Sequence, residues 1–170
     1  NFGPGLELNY QDFINSSRQN VKLVEERQGP DVQVTVVDVF AEKEPHRSMF
    51  INGKADASNM KLSSDLATQI MLAHLPMLLH PAPRNVFVLG LGCGITSSGG
   101  LKFPGGEKLT TVELAGEVFE ASKNFAADNG RFWENPKHRM VIDDGKTFLR
   151  LSKEKFDVIS MEPTNVWQEG

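Results

Sequence analysis

The sequence predicts an α/β domain built on a parallel sheet, preceded by a small antiparallel β unit. Three observations predict it. From residue 85 onward, short apolar strands alternate with helical segments, the pattern of β-α-β units with right-handed crossovers. A glycine-rich turn, Gly90-Leu91-Gly92-Cys93-Gly94, follows the first of those strands. Upstream, β-branched runs flank Asn52-Gly53, a strong two-residue hairpin signal, because both central positions of a type I′ turn need positive φ.

Composition bounds the rest. At 170 residues, 39% hydrophobic and 24% charged, the chain is an ordinary globular one, long enough for one domain with a small appendage. Lys and Arg number 18 against 22 for Asp and Glu, a net charge of −4. No basic excess exists to displace counterions, which argues against a nucleic-acid binder. The single cysteine allows no disulfide within the chain and points to a reducing, cytoplasmic setting. No run of about 18 apolar residues marks a transmembrane helix. The chain starts at Asn1 without an initiator Met or a signal-peptide pattern, so it is expected to be a fragment of a longer protein.

Residues 1–20 are polar, rich in Gly and Asn, and without periodicity, and read as an arm or linker. Residues 21–60 form the small β unit. VQVTVVDVF (32–40) is a strand by period and propensity. A second strand covers 47–51 and resumes at 54–57 after the Asn52-Gly53 turn, giving two or three hairpin-connected strands. Residues 61–170 form the parallel-sheet domain. Ser63-Ser64-Asp65 starts a helix in which Leu66, Ile70, Leu72, Ala73 and Met77 recur at helical spacing. Pro76 is expected to kink or end it, and Pro81 and Pro83 close the region. Strands follow at 86–90, 108–113, 138–142 and 156–161, with helices at 115–128 and 147–151. Right-handed crossovers with a switch point order these strands 3-2-1-4. Strand 156–161 is then an edge with no Lys or Pro to guard it, exposed in the isolated chain or covered by a partner subunit.

The chemistry gathers at the strand ends. In the glycine turn, Gly90 permits a tight bend, Gly92 lets a ligand approach the backbone, and Gly94 leads into a helix whose first N–H groups are free. Glu113 stands 19 residues after Gly94, at the end of the next strand. A carboxylate there can accept both hydroxyl protons of a ribose. A dinucleotide fingerprint needs a third small residue two positions further on, and Ile95 occupies that place. The turn instead resembles the loop of S-adenosylmethionine-type enzymes, whose nucleoside carries a sulfonium and no phosphate. Asp143-Asp144-Gly145 follows the third strand, where a carboxylate can meet an adenine amino group or cap a helix. Glu162, with Asn165 and Trp167 close behind, follows the fourth strand as a candidate general base. His46, His74, His80 and His138 show no metal-ligand spacing, so no metal is assigned. His74 sits on a packed helix face, and Trp133 reads as a packing residue.

Together these segments resemble the polyamine aminopropyltransferases, chiefly spermidine synthase, over about residues 30–170. The pieces are FINGKADAS, LATQIMLAHLPMLLHP, VLGLGCGIT, TTVEL, VIDDGKTFL and FDVISMEPTNVW. The match is nearest to a bacterial spermidine synthase-like branch, some members of which are fused to membrane-embedded segments. The resemblance implies a Rossmann-like sheet of the S-adenosylmethionine-dependent methyltransferase type, truncated at its C-terminal side, and a usual dimeric state. It implies aminopropyl transfer from decarboxylated S-adenosylmethionine to a diamine such as putrescine, with no tightly bound cofactor. Gln69, Glu113, Asp144 and Gly145 match ligand contacts, alongside the loop residues Gly90, Gly92, Cys93 and Gly94 and the neighbouring Asp143. Glu162 matches the acid that accepts the amine proton. Three positions depart from the family pattern. Cys93 replaces the loop acid that grips the aminopropyl ammonium, Thr68 stands where a substrate-contacting Tyr is usual, and Asn165 replaces a second acid. Of the carboxylates near the amine, Glu162 and Asp65 remain. The alternatives are a methyltransferase using S-adenosylmethionine itself and a nucleoside-binding regulatory domain without turnover.

Overall fold

The computed structural model describes residues 20–40, 45–61 and 64–161. The arm at 1–19, Ser63 and the segment carrying Glu162, Asn165 and Trp167 lie outside the described residues.

Two four-stranded sheets make up the fold. The first is antiparallel, in the order β1 (Val21–Gln28), β2 (Gln33–Val39), β3 (His46–Ile51) and β4 (Lys54–Ser58). Asn52 and Gly53, at φ 49° and 77°, form the turn between β3 and β4, as their sequence demands. The unit has four strands rather than two or three. β1 escapes the sequence pattern because it is charged and its register slips between Leu23 and Glu25, which breaks the alternation of its apolar residues.

The second sheet is parallel, with β5 (Asn85–Leu89), β6 (Lys108–Glu113), β7 (His138–Ile142) and β8 (Val158–Met161) in the order β7-β6-β5-β8. That is the 3-2-1-4 arrangement expected from right-handed crossovers. Among the described residues β8 pairs only with β5 and is an edge. Val158 and Ser160 are buried, whereas Ile159 and Met161, on the opposite face, are 49% and 55% exposed.

Helix α1 (Ser64–Leu79) runs through Pro76 instead of ending there. Proline cannot donate to the carbonyl four residues earlier, that of Leu72. Ser160 Oγ of β8 donates to that carbonyl at 2.8 Å, so the acceptor freed by Pro76 ties the helix to the edge strand. Helix α2 (Ile95–Leu101) packs beside α1, where His74 Nε2 lies 3.2 Å from the Gly99 carbonyl. This is the packing role read for His74. The helix expected over 115–128 divides into α3 (Gly116–Ser122), a 3₁₀ turn at Lys123–Phe125 and α4 (Ala126–Asn129). At the break the Asn124 carbonyl accepts from Arg47 Nη1 of β3, which draws it toward the antiparallel sheet. Helix α5 (Gly145–Leu151) starts two residues before the expected Thr147, directly after its cap Asp144.

One apolar cluster joins the two sheets. Val34, Val36, Met49 and Ala57 of the antiparallel sheet share it with Leu91 and Cys93 of the glycine turn and with Phe125 and Phe132. This shared core presses β4 against the turn and fixes the geometry of the site.

A half-buried histidine gives the fold a pH dependence. His138 opens β7 with Nε2 3.0 Å from Thr111 Oγ1, and its ring meets Phe132 edge-on. Burial pushes its imidazolium down to about 4, so it is neutral in the folded chain at pH 5–7. The unfolded chain gains a proton there below about pH 6.5. Stability is therefore complete above that value and falls as pH drops toward about 4, by on the order of 3 kcal/mol for a gap of this size. Urea titrations from pH 7 to pH 4.5 should show this slope, and His138→Gln should flatten it.

Candidate nucleoside-binding site

The site is built at the carboxyl ends of β5, β6 and β7, where ligands of open α/β sheets bind. The turn after β5 is held by backbone bonds: Gly90 N–H donates to the Val112 carbonyl at 2.9 Å and Gly94 N–H to the Leu91 carbonyl at 2.9 Å. Gly90, Gly92 and Gly94 all have positive φ, at 87°, 51° and 82°. Gly94 leads directly into α2.

Glu113 ends β6 beside this turn. Its Oε2 accepts the Leu91 N–H at 3.0 Å and its Oε1 the Ala115 N–H at 3.0 Å. Burial raises the carboxyl above the usual range, while those backbone N–H groups pull it back down. A carboxylate offers about four acceptor sites, so Glu113 can still accept from a bound ligand beside these backbone bonds.

Asp143 and Asp144 sit exposed after β7. Asp143 Oδ1 accepts the Asp144 N–H at 2.8 Å, and Asp144 Oδ1 accepts the Thr147 N–H at 2.7 Å. Asp144 is thus the N-cap of α5, and bonds from the Thr147 hydroxyl and N–H hold its carboxyl below the usual range. Gly145 packs so closely on Leu89 that a Cβ there would stand 2.7 Å from Leu89 Cδ1, which brings the start of α5 against the end of β5.

Gln69 and Cys93 lie beneath the turn. Gln69 is 1% exposed and Cys93 is fully buried. Cys93 Sγ donates to Gln69 Oε1 at 2.9 Å, while Gln69 Nε2 donates to the Ser58 carbonyl at 3.0 Å. Together they clamp α1, β4 and the glycine turn to one another. Thr68 lies on the exposed side of α1. Asp65, in the first turn of that helix, accepts from Ser58 Oγ at 2.5 Å.

Sequence reasoning missed one acid. Asp56 of β4 lies against Gly92: a Cβ on that glycine would stand 3.7 Å from Asp56 Oδ2 and 3.2 Å from Ala57 Cβ. The signal was an acid in a strand that also supplies core residues, but its direction depends on a register shift between β3 and β4.

A parallel sheet of this order, with a glycine turn after its first strand and an acid ending its second, defines a Rossmann-like α/β domain. The spermine/spermidine synthase domain matches residues 65–166, and the chain belongs to that family. It is 30% identical over 162 residues to a polyamine aminopropyltransferase of Thermotoga maritima, spanning 95% of this chain and 49% of that protein. It is 34% identical over 121 residues to a spermidine synthase of Dictyostelium discoideum, spanning 71% of this chain and 42% of that one. The chain thus spans about half the length of the curated relatives it matches. Among solved structures it resembles a spermidine synthase in complex with the transition-state analogue AdoDATO. The TM-score is 0.75 and the identity 26%, over 85% of this chain and 47% of that one. A spermidine synthase from Thermotoga maritima aligns with a TM-score of 0.73 and 26% identity, over 83% and 47% of the two chains. Among the described residues no helix is long and apolar enough to cross a membrane.

Proposed function

We propose that this chain forms the nucleoside-binding part of an aminopropyltransferase that takes decarboxylated S-adenosylmethionine as co-substrate and a diamine such as putrescine as acceptor. The observation that carries this reading is Glu113, a carboxylate at the end of β6, anchored by the N–H groups of Leu91 and Ala115. In this reading it receives the ribose hydroxyls. Asp143 and Asp144 at the end of β7 receive the adenine amino group, and Gly90, Gly92 and Gly94 form the turn that the nucleoside approaches. Gln69 and Cys93 act from below by holding the turn in place. Thr68 and Asn165 are assigned to the acceptor side.

In the reaction the acceptor nitrogen attacks the methylene next to the sulfonium. The C–N bond forms as the C–S bond breaks, and its electron pair returns to sulfur, leaving neutral methylthioadenosine. The proton released from the amine passes to the Glu162 carboxylate. Most of the acceleration comes from holding the two reactants in line.

A second reading, methyl transfer from S-adenosylmethionine, is favoured by one observation: Cys93 puts no negative charge in the turn to repel the carboxylate of that donor. Product analysis separates the two. With putrescine as acceptor, methylthioadenosine formed from decarboxylated S-adenosylmethionine supports aminopropyl transfer. S-adenosylhomocysteine formed from S-adenosylmethionine supports the second reading.

A further inference from the structure

His138 is a titratable side chain that the reaction above does not use, and it touches two supports of the site. The first is Phe132, whose ring fills the space that a Cβ on Gly94 would need. The imidazole meets that ring edge-on, with the centroids 4.9 Å apart. The second is a chain of hydroxyls. Ser97 Oγ of α2 lies 2.8 Å from Thr111 Oγ1 of β6, which lies 3.0 Å from His138 Nε2. Thr111 stands two residues before Glu113, on the same face of β6.

Proton accounting sets the direction of this chain. Ser97 and Thr111 are fully buried, so each hydroxyl proton needs an acceptor within the protein. Among the described residues the Ser97 hydroxyl bonds to Thr111, so it donates there. Thr111 then donates to His138 Nε2, which is bare, and the ring proton sits on Nδ1. The other tautomer would turn Thr111 toward Ser97 and leave the Ser97 proton without an acceptor. The charged side chains of the neighbouring elements bond elsewhere: Lys137 to the Gly106 carbonyl, Lys108 and Arg139 to Glu154, and Glu134 to Arg131.

We propose that His138, protonated on Nδ1, is a positioning residue for nucleoside binding. It ends the Ser97–Thr111 chain on one side and backs Phe132 against Gly94 on the other, so the glycine turn and the strand carrying Glu113 keep one geometry. This rests on the nucleoside reading above.

Two measurements on the 170-residue chain at pH 7 test it. Long-range ¹H–¹⁵N NMR of the imidazoles, with His138→Gln to assign the signal, should show a bare Nε2 and a protonated Nδ1. Saturating methylthioadenosine should move the Nε2 signal, although His138 stands at the opposite end of β7 from Asp143. In calorimetric titration with methylthioadenosine, His138→Leu should weaken binding by about fivefold, the scale of one lost hydrogen bond. His138→Gln, whose amide oxygen can accept from Thr111, should recover most of that loss. A ring protonated on Nε2, an Nε2 signal that ignores the ligand, a folded Leu variant that binds as the parent does, or a Gln variant as weak as the Leu one overturns the proposal. If the Leu variant does not fold, the NMR result decides. If the parent binds no methylthioadenosine, the nucleoside reading itself fails and the proposal falls with it; if the parent binds and the His138 results go the other way, that reading stands without it.

Discussion

Replacing Glu113 by Gln weakens methylthioadenosine binding by about tenfold or more. A ribose hydroxyl donating to a carboxylate makes a charge-assisted bond worth ~1.5–3 kcal/mol, and a neutral amide keeps the shape without that gain. The amide also brings an NH₂ where the carboxylate now accepts from either Leu91 or Ala115, so one backbone donor loses its acceptor. Circular dichroism and thermal melting identify the temperature range in which the variant remains folded, and the titration is run there. An unchanged dissociation constant in the folded variant removes Glu113 from the site. The raised carboxyl also sets a pH dependence in the parent chain. Binding requires the ionised form, so affinity should fall on acidification at a higher pH than an ordinary glutamate would give.

Gly94→Ala destabilises the fold by about 2–5 kcal/mol, combining the cost of a left-handed backbone for an L-residue with that of overpacking. Gly94 holds φ at +82°, and a Cβ there would overlap the ring of Phe132. That ring is itself 2% exposed and wedged between Trp133 and His138, so it has no room to retreat. Equilibrium unfolding in urea measures the loss. A variant as stable as the parent would mean that the turn can relax away from Phe132, contrary to the packing described for the site.

The strand order was legible because it follows from chirality and from the alternation of apolar strands with helices. The glycine turn and Glu113 were legible because their spacing is a property of one β-α-β unit. Features that depend on a partner strand or helix were not. β1 is hidden by its charges and its bulge, and is recognised only through its pairing with β2. Pro76 looks like a helix breaker in isolation, and Ser160, 84 residues away in sequence, supplies the donor that takes up the Leu72 carbonyl. Cys93 was read from the sequence only as a loop residue standing where the family has an acid. It is buried, and its bond to Gln69 could not be seen without the approach of α1 to the turn. Asp56 was missed for the same reason as β1, since a bulge exists only relative to the strand opposite.

A crystal structure of the chain with methylthioadenosine tests the central claim most directly. The account predicts the ribose hydroxyls within hydrogen-bond distance of the Glu113 carboxylate, the adenine beside Asp143 and Asp144, and the thioether end over the glycine turn. A nucleoside bound away from the carboxyl ends of β5 and β6, or one whose ribose makes no contact with Glu113, would contradict it.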